Sequence, residues 1–464
     1  MPAGLTPALI ELLGADNVLT ETSERLVYGY DNSRQQALPA RVVFPENHAQ
    51  VQAVVRLCHE HRTTLTARGR GTGTTGATVP LENAIVLSSE RMTRILEMNP
   101  ADRLMVVQPG VTNQAVQQAA AEHGFFWPPD PTSAAVCTIG GNLAYNSAGP
   151  RAVKYGTPRE NTLGLRAVTG AGEEIHTGTR TTKGVVGYDL TRLLIGSEGT
   201  LAIITEATLK LTPLAESKRT LRAIYADMHS AAQAVSRIMA QPVVPCALEF
   251  IDGPAIEMVR QHSTAELPQG AGALLMIEVD GAQAAMAESL TAIERAASGD
   301  GLLDLRVAQT PAEVQALWAT RKALSPALRN VAPKKINEDV VVPVSQIPAL
   351  ISSLAEFAEH HDITIVNFGH AGNGNIHVNL LVDPDDSAQM VRAEACLDAV
   401  FTRALELGGS LSGEHGIGLV KRDFVAREID PASLVLMQQI RRLFDPHGIL
   451  NPGKTLPAVS DSNH

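Results

Sequence analysis

Paired cysteines, long apolar runs and clustered basic residues are all missing from this 464-residue sequence. Cys58, Cys137, Cys246 and Cys396 are far apart, so no Cys-x-x-Cys motif exists and the expectation is buried thiols in a reducing compartment. No stretch approaches the roughly 18 uncharged apolar residues of a membrane-spanning helix. The opening Met1-Pro2-Ala3-Gly4 lacks a basic region followed by an apolar core, so no signal peptide is expected. The densest basic stretch, Ala332-Pro333-Lys334-Lys335, is short, and the formal net charge of −11 opposes binding to phosphate backbones. These absences point to a cytoplasmic protein without a nucleic-acid partner, with room for peripheral contact at the inner face of the membrane.

What is present is ordinary globular material. Hydrophobic residues make up 44% and charged residues 19%, enough for a sizeable core. The length suggests two or three domains at roughly 100–200 residues each. Val42-Val43-Phe44 reads as a strand, His48 to His61 as a helix through Val51, Val54, Val55 and Leu57, and Thr63 to Ala67 as a second strand. Between 101 and 210 lie short β-like runs: Leu104 to Gln108, Leu165 to Thr169, Leu193-Leu194-Ile195 and Leu201 to Thr205. After Leu211-Thr212-Pro213-Leu214 the pattern changes. Strand-like runs (Arg222 to Tyr225, Leu274 to Val279, Val340 to Val342) then alternate with amphipathic helices at 229–240, 281–297, 311–329 and 346–361. A further helix is expected from a Ser387 cap through Leu407, ended by Gly408-Gly409, and the tail after Leu456 reads as disordered.

Gly71-Thr72-Gly73-Thr74-Thr75-Gly76 matches G-x-G-x-x-G, the dinucleotide fingerprint. That reading requires a helix opening on the last glycine. Here Pro80 interrupts the segment, and too little chain separates Gly76 from the strand Ile85-Val86-Leu87. A nicotinamide Rossmann site is therefore not expected. The loop's successive backbone amides can still form an anion nest.

Four motifs in order give the chain a resemblance: Arg68-Gly69-Arg70-Gly71-Thr72-Gly73, Pro129-Asp130-Pro131, Thr138-Ile139-Gly140-Gly141-Asn142 and Gly196-Ser197-Glu198-Gly199-Thr200-Leu201. Together they resemble FAD-linked oxidoreductases of the vanillyl-alcohol oxidase type, in the D-lactate, glycolate and D-2-hydroxyglutarate dehydrogenase branch. The resemblance runs from Tyr30-Asp31 to Leu450-Asn451-Pro452-Gly453-Lys454. It implies an α+β fold with a two-part FAD domain (1–215), an α+β substrate cap (216–410) and a C-terminal segment (411–464) returning to the FAD domain. It implies that Arg68, Gly69, Arg70, Gly71, Thr72, Gly73 and Thr74 cradle the pyrophosphate. Pro131, Thr138, Gly141, Asn142, Asn146, Gly149 and Tyr155 would lie along the cofactor. Gly196, Glu198, Gly199, Ile204 and Asn451 complete the expected FAD contacts. Relatives with covalent FAD use a histidine in the first loop; Arg68 to Gly76 has none, so the FAD is expected to be non-covalent.

The second informative region is Phe368-Gly369-His370-Ala371-Gly372-Asn373-Gly374-Asn375-Ile376-His377-Val378-Asn379. Strand-like residues flank it, so His370 would end one strand and His377 begin the next. Two imidazoles and a carboxylate suit Zn²⁺ or another divalent metal. The resemblance supplies the carboxylate, Glu414 of Ser412-Gly413-Glu414-His415-Gly416, and makes His415 the base. A metal on the substrate hydroxyl lowers its pKa, a neutral histidine takes the proton, and the hydride goes to flavin N5. Arg321 and Ser325 share a helix face at i and i+4, and an arginine there is expected to grip the substrate carboxylate. Asn379 matches a substrate-contacting position, and Lys335 lies nearby. Hydroxyglutarate members carry a lysine shortly before an Asp-x-x-x-Pro element; aligning on Asp339 to Pro343 places Asn337 there. The expected substrate is thus a monocarboxylate, D-lactate first, with D-2-hydroxyglutarate or glycolate as alternatives. The electron acceptor would be a cytochrome, a quinone or an electron-transfer flavoprotein, and a homodimer is allowed. A zinc hydrolase using His370, His377 and Glu414 is the reading from another class, but it leaves the glycine loops unused. A non-catalytic subunit would not need all four polar groups.

Overall fold

A computed structural model describes residues 1–2, 4–260, 269–328 and 331–457, apart from the side chains at 259, 325 and 326. The tail expected to be disordered falls largely on 458–464, outside the described residues. The chain forms two compact units: one of Met1–Ala148, Gly156–Leu214 and Glu414–His464, the other of Gly149–Tyr155 and Ala215–Gly413. Among the described residues no helix is long and apolar enough to cross a membrane.

The first unit holds two main sheets. In one, Val18–Leu19, Arg41–Val43, Ile85–Ser88 and Leu65–Arg68 lie side by side, the last three mutually parallel. The crossover between two of them is the helix His48–Glu60, capped by Asn47, which accepts from the Gln50 amide. Its Val51, Val54, Val55 and Cys58 are fully buried at helical spacing. Burial pushes the Cys58 thiol up to about 12, as suits an inert core thiol. Between Arg68 and Ile85 the chain forms no helix, so the glycine-rich loop is not a Rossmann turn.

The other sheet is antiparallel, ordered Ile95–Asn99, Leu104–Val107, Ala202–Lys210, Thr162–Thr169 and Glu174–Gly178. Its buried face packs around Trp127, whose indole N–H donates to the Asn161 carbonyl at 2.9 Å. The run Leu193-Leu194-Ile195, expected as β, is instead the end of the helix Leu190–Leu194. Asp189 accepts from the Arg192 amide and starts that helix, and a short apolar triplet cannot distinguish the two states.

The second unit is built on a seven-stranded antiparallel sheet. Its spatial order is Leu302–Val307, Ser217–Tyr225, Ala273–Gly281, Ala247–Asp252, Thr364–His370, Asn375–Val382, Lys334–Val341. The helices Met228–Ala240, Met286–Ala297, Pro311–Ala327, Ile347–His361 and Ser387–Glu406 accompany it. The last is capped by Asp386, which accepts from the Gln389 amide at 2.9 Å, rather than by Ser387. A carboxylate one residue earlier reaches the first-turn amides from a non-helical position, which Ser387, already helical, does not occupy.

Candidate active site

The first unit contains a small cleft of about 70 Å³. Of the residues expected at FAD, Arg68, Gly69, Gly141, Glu198, Gly199 and Ile204 line it. Ser89, Pro109 and Tyr145 also line it, and no motif had marked them. Beside the cleft, among the described residues, the amides of Gly69 to Thr75 donate to no protein acceptor. A run of such N–H groups forms a nest for a phosphate. Thr74 Oγ1 is likewise buried without a partner. The unit therefore places an anion-binding loop beside a small cleft.

Other expected cofactor residues are not among those lining the cleft. Thr138 caps the helix Ile139–Tyr145, accepting from the Gly141 amide at 3.3 Å. Asn142 is buried against Asn113 and Cys137, and Asn146 closes the same helix with φ 56°. Arg70 pairs with Glu90 at 3.2 Å. Asn451 donates to the carbonyls of Ala77 and Glu198 at 2.9 and 2.7 Å. Gly71, Thr72 and Gly73 belong to the amide loop, and neither Pro131 nor Gly196 lines the cleft. Gly149 and Tyr155 fall in the second unit, where the Tyr155 hydroxyl donates to Asp280 Oδ2 at 2.7 Å.

Also in the first unit, the Glu414 carbonyl accepts from Ser147 Oγ and the His415 carbonyl from Thr75 Oγ1, each at 3.2 Å. Burial raises the Glu198 carboxyl pKa, although the amides of Ile417 and Gly418 donate to it.

In the second unit, His370 ends the strand Thr364–His370 and His377 is the third residue of Asn375–Val382. The strands are paired, with Phe368 opposite His377 and His370 opposite Asn375, so both imidazoles lie on one sheet face. Their ring centroids are 5.2 Å apart and both residues are buried.

A carboxylate absent from the sequence-based expectations organises this face. Glu249, only 1% exposed, lies opposite His370 in the next strand. Its Oε1 is 2.6 Å from His370 Nδ1, and its Oε2 accepts from Arg321 Nε at 2.7 Å. Burial pushes its pKa up, but His370 and Arg321 outweigh this and hold it below the usual carboxylate range. The only hint in the sequence was an acidic residue inside the apolar strand Ala-Leu-Glu-Phe-Ile-Asp at Ala247–Asp252. Arg321, expected at the substrate, is thus tied through Nε to Glu249, with its guanidinium 4.8 Å from the Phe368 ring centroid. The side chain of Ser325 lies outside the described residues.

On the same face, Asp339 pairs with His377 and Asn337 with Asn379, while Lys335 lies one step further along, opposite Leu381. Asn337 Oδ1, Asn375 Oδ1 and Asn379 Oδ1 are buried without hydrogen-bond partners. Asp339 accepts from Ser412 Oγ at 2.9 Å and from the Gly413 amide at 3.0 Å. A Cβ on Gly413 would lie 1.7 Å from Asn375 Nδ2, so only glycine can seat the chain this closely. Gly413 is therefore held against the cross-strand neighbours of both histidines.

Residues 39–178 match the family model "FAD binding domain", and residues 214–455 match "FAD linked oxidases, C-terminal domain". The "Glycolate oxidase subunit GlcD" of Bacillus subtilis (strain 168) is 39% identical over 96% of this chain and 95% of its own. The "D-2-hydroxyglutarate dehydrogenase" of Stutzerimonas stutzeri (strain A1501) is 34% identical, covering 97% of this chain and 99% of its own. A solved structure of p-cresol methylhydroxylase with substrate bound has the same fold, at a TM-score of 0.79 and 18% identity over 97% of this chain and 96% of that one. A hydrolase reading would leave the matched FAD-binding region without a role. With an amide loop suited to a phosphate and both halves matched, the chain is an FAD-linked oxidoreductase and belongs to the FAD-linked oxidase family.

Proposed function

We propose that the chain oxidises a short D-2-hydroxy monocarboxylate, D-lactate first, to its 2-oxo acid, passing electrons to a cytochrome, quinone or electron-transfer flavoprotein. The observation that carries this reading is Glu249, which joins an imidazole to an arginine on one buried sheet face. Metal-binding histidines generally donate their second ring nitrogen to a carboxylate, which fixes the tautomer and orients the ring. A carboxylate on His370 Nδ1 fits that pattern, and the metal would then be held through Nε2. His377 supplies the second imidazole. Glu414 would be the third ligand: it follows Gly413 by one peptide bond, about 3.8 Å from Cα to Cα.

A bound divalent ion would lower the pKa of the substrate hydroxyl, and bound FAD would accept the hydride. The remaining work falls to the chain. Arg321 is oriented by Glu249 and grips the substrate carboxylate with its terminal nitrogens. Asn379 and Ser325 assist in orienting the substrate. His415 takes the hydroxyl proton, as a neutral imidazole can near pH 7.

The monocarboxylate preference rests on Asn337, which offers an uncharged amide opposite Asn379 where a dicarboxylate would need a cation. Lys335 is offset from Asn337 by one step of the same strand face. A dye-reduction screen of D- and L-lactate, glycolate, D-2-hydroxyglutarate and D-malate tests this. D-lactate is expected to give the highest kcat/KM; a clear preference for D-2-hydroxyglutarate would refute the monocarboxylate reading. Asn337→Lys is expected to raise kcat/KM for D-2-hydroxyglutarate by about 10-fold or more, the worth of one charge-assisted hydrogen bond.

A further inference from the structure

Glu198 is unusual in facing two ways. Its residue lines the cofactor cleft together with Ser197 and Gly199. Its side chain leaves the cleft for the C-terminal segment: Oε1 accepts from the Ile417 amide at 2.5 Å and Oε2 from the Gly418 amide at 2.8 Å. Thr455 Oγ1 donates to Oε2 at 3.0 Å, and Asn451 Nδ2 to the Glu198 carbonyl at 2.7 Å. The backbone of Glu198 has φ 53°, a left-handed conformation that a non-glycine residue keeps only when its surroundings hold it there. Gly416 completes the fit. Its φ is 81°, and a Cβ there would lie 2.4 Å from Glu198 Oε1 and 2.6 Å from the Tyr145 ring. Tyr145 lines the cleft as well. The segment after His415 is thus seated on two residues that also form the cofactor's wall.

We propose that Glu198 is a positioning residue that couples occupancy of the cofactor cleft to the placement of His415, two residues before Ile417. Cofactor in the cleft restrains the turn at Ser197 to Gly199. The carboxylate passes that restraint to the Ile417 and Gly418 amides, and so to the peptide that carries His415. The coupling is reciprocal, because two sites that bias one element must bias each other equally. The proposal rests on the reading of His415 as the base for its catalytic consequence, but not for the coupling itself.

Hydrogen exchange separates the two. In the wild-type holoenzyme, amides of residues 414–420 are expected to exchange about 10-fold more slowly than in the same chain stripped of FAD, the scale of a typical coupling. Glu198→Gln and Gly416→Ala are each expected to bind FAD, followed by its visible spectrum, yet to lose this FAD-dependent protection. Both are also expected to lower kcat about 100-fold with little change in KM. Unchanged exchange in the wild-type segment on adding FAD would overturn the proposal, whatever the variants do. Full protection retained in a folded Glu198→Gln protein would overturn it too. Loss of protection with kcat unchanged would leave the coupling standing and instead count against His415 as the base.

Discussion

Glu249→Gln is expected to destabilise the second unit by about 3 kcal/mol, on the order of 6–12 °C in Tm. The carboxylate sits between Arg321 and His370 at 2.7 and 2.6 Å and is almost fully enclosed. Removing its charge leaves the guanidinium, only 7% exposed, without its counter-ion. An uncompensated buried charge is far costlier than the loss of a surface pair. The amide is nearly isosteric, so packing is preserved and the charge effect is isolated. Loss of the carboxylate partner of His370 is also expected to weaken metal affinity by about 10- to 100-fold. Thermal melts with and without added zinc check both effects. A melting temperature within about 2 °C of wild type would show that the triad carries little energy.

His415→Asn is expected to lower kcat by about 10²- to 10⁴-fold, the usual contribution of a general base. FAD content, fold and KM should change little. The carbonyl of residue 415 would still accept from Thr75 Oγ1, and the Ile417 and Gly418 amides would still reach Glu198. The side chain can therefore be changed without moving the peptide. Rate against pH adds a second readout. A general base leaves an ascending limb in kcat/KM against pH, and the variant should lack that limb. A variant with wild-type kcat would remove His415 from the reaction.

Local pattern was legible in the sequence where burial is periodic. The helix His48–Glu60 declared itself through Val51, Val54 and Val55, and the loop between Gly76 and Ile85 could be excluded as a Rossmann crossover by Pro80 and by its short length. The paired strands carrying His370 and His377 were readable because glycines and asparagines mark the turn between two apolar runs. Leu193 to Ile195 misled because three apolar residues fit either period, and the deciding element was the Asp189 cap upstream. Glu249 was illegible for a different reason. Its partners, His370 and Arg321, lie 121 and 72 residues away, and one acid in an apolar strand reads as a break in pattern. Glu198 was expected at the cofactor through the resemblance, and it lines the cleft, but nothing local in the sequence showed that its carboxylate serves amides about 220 residues later. Tyr155 was likewise placed by motif alone; its bond to Asp280, 125 residues on, puts it in the second unit.

The most direct test of the account is anaerobic reduction of the bound flavin by D-lactate, followed by the loss of its visible absorption. In the metal-replete holoenzyme the absorption should bleach with D-lactate. It should persist after treatment with a chelator and bleach again once zinc is restored. Bleaching at an unchanged rate in the chelated enzyme, or no bleaching by any 2-hydroxy acid, would contradict the account.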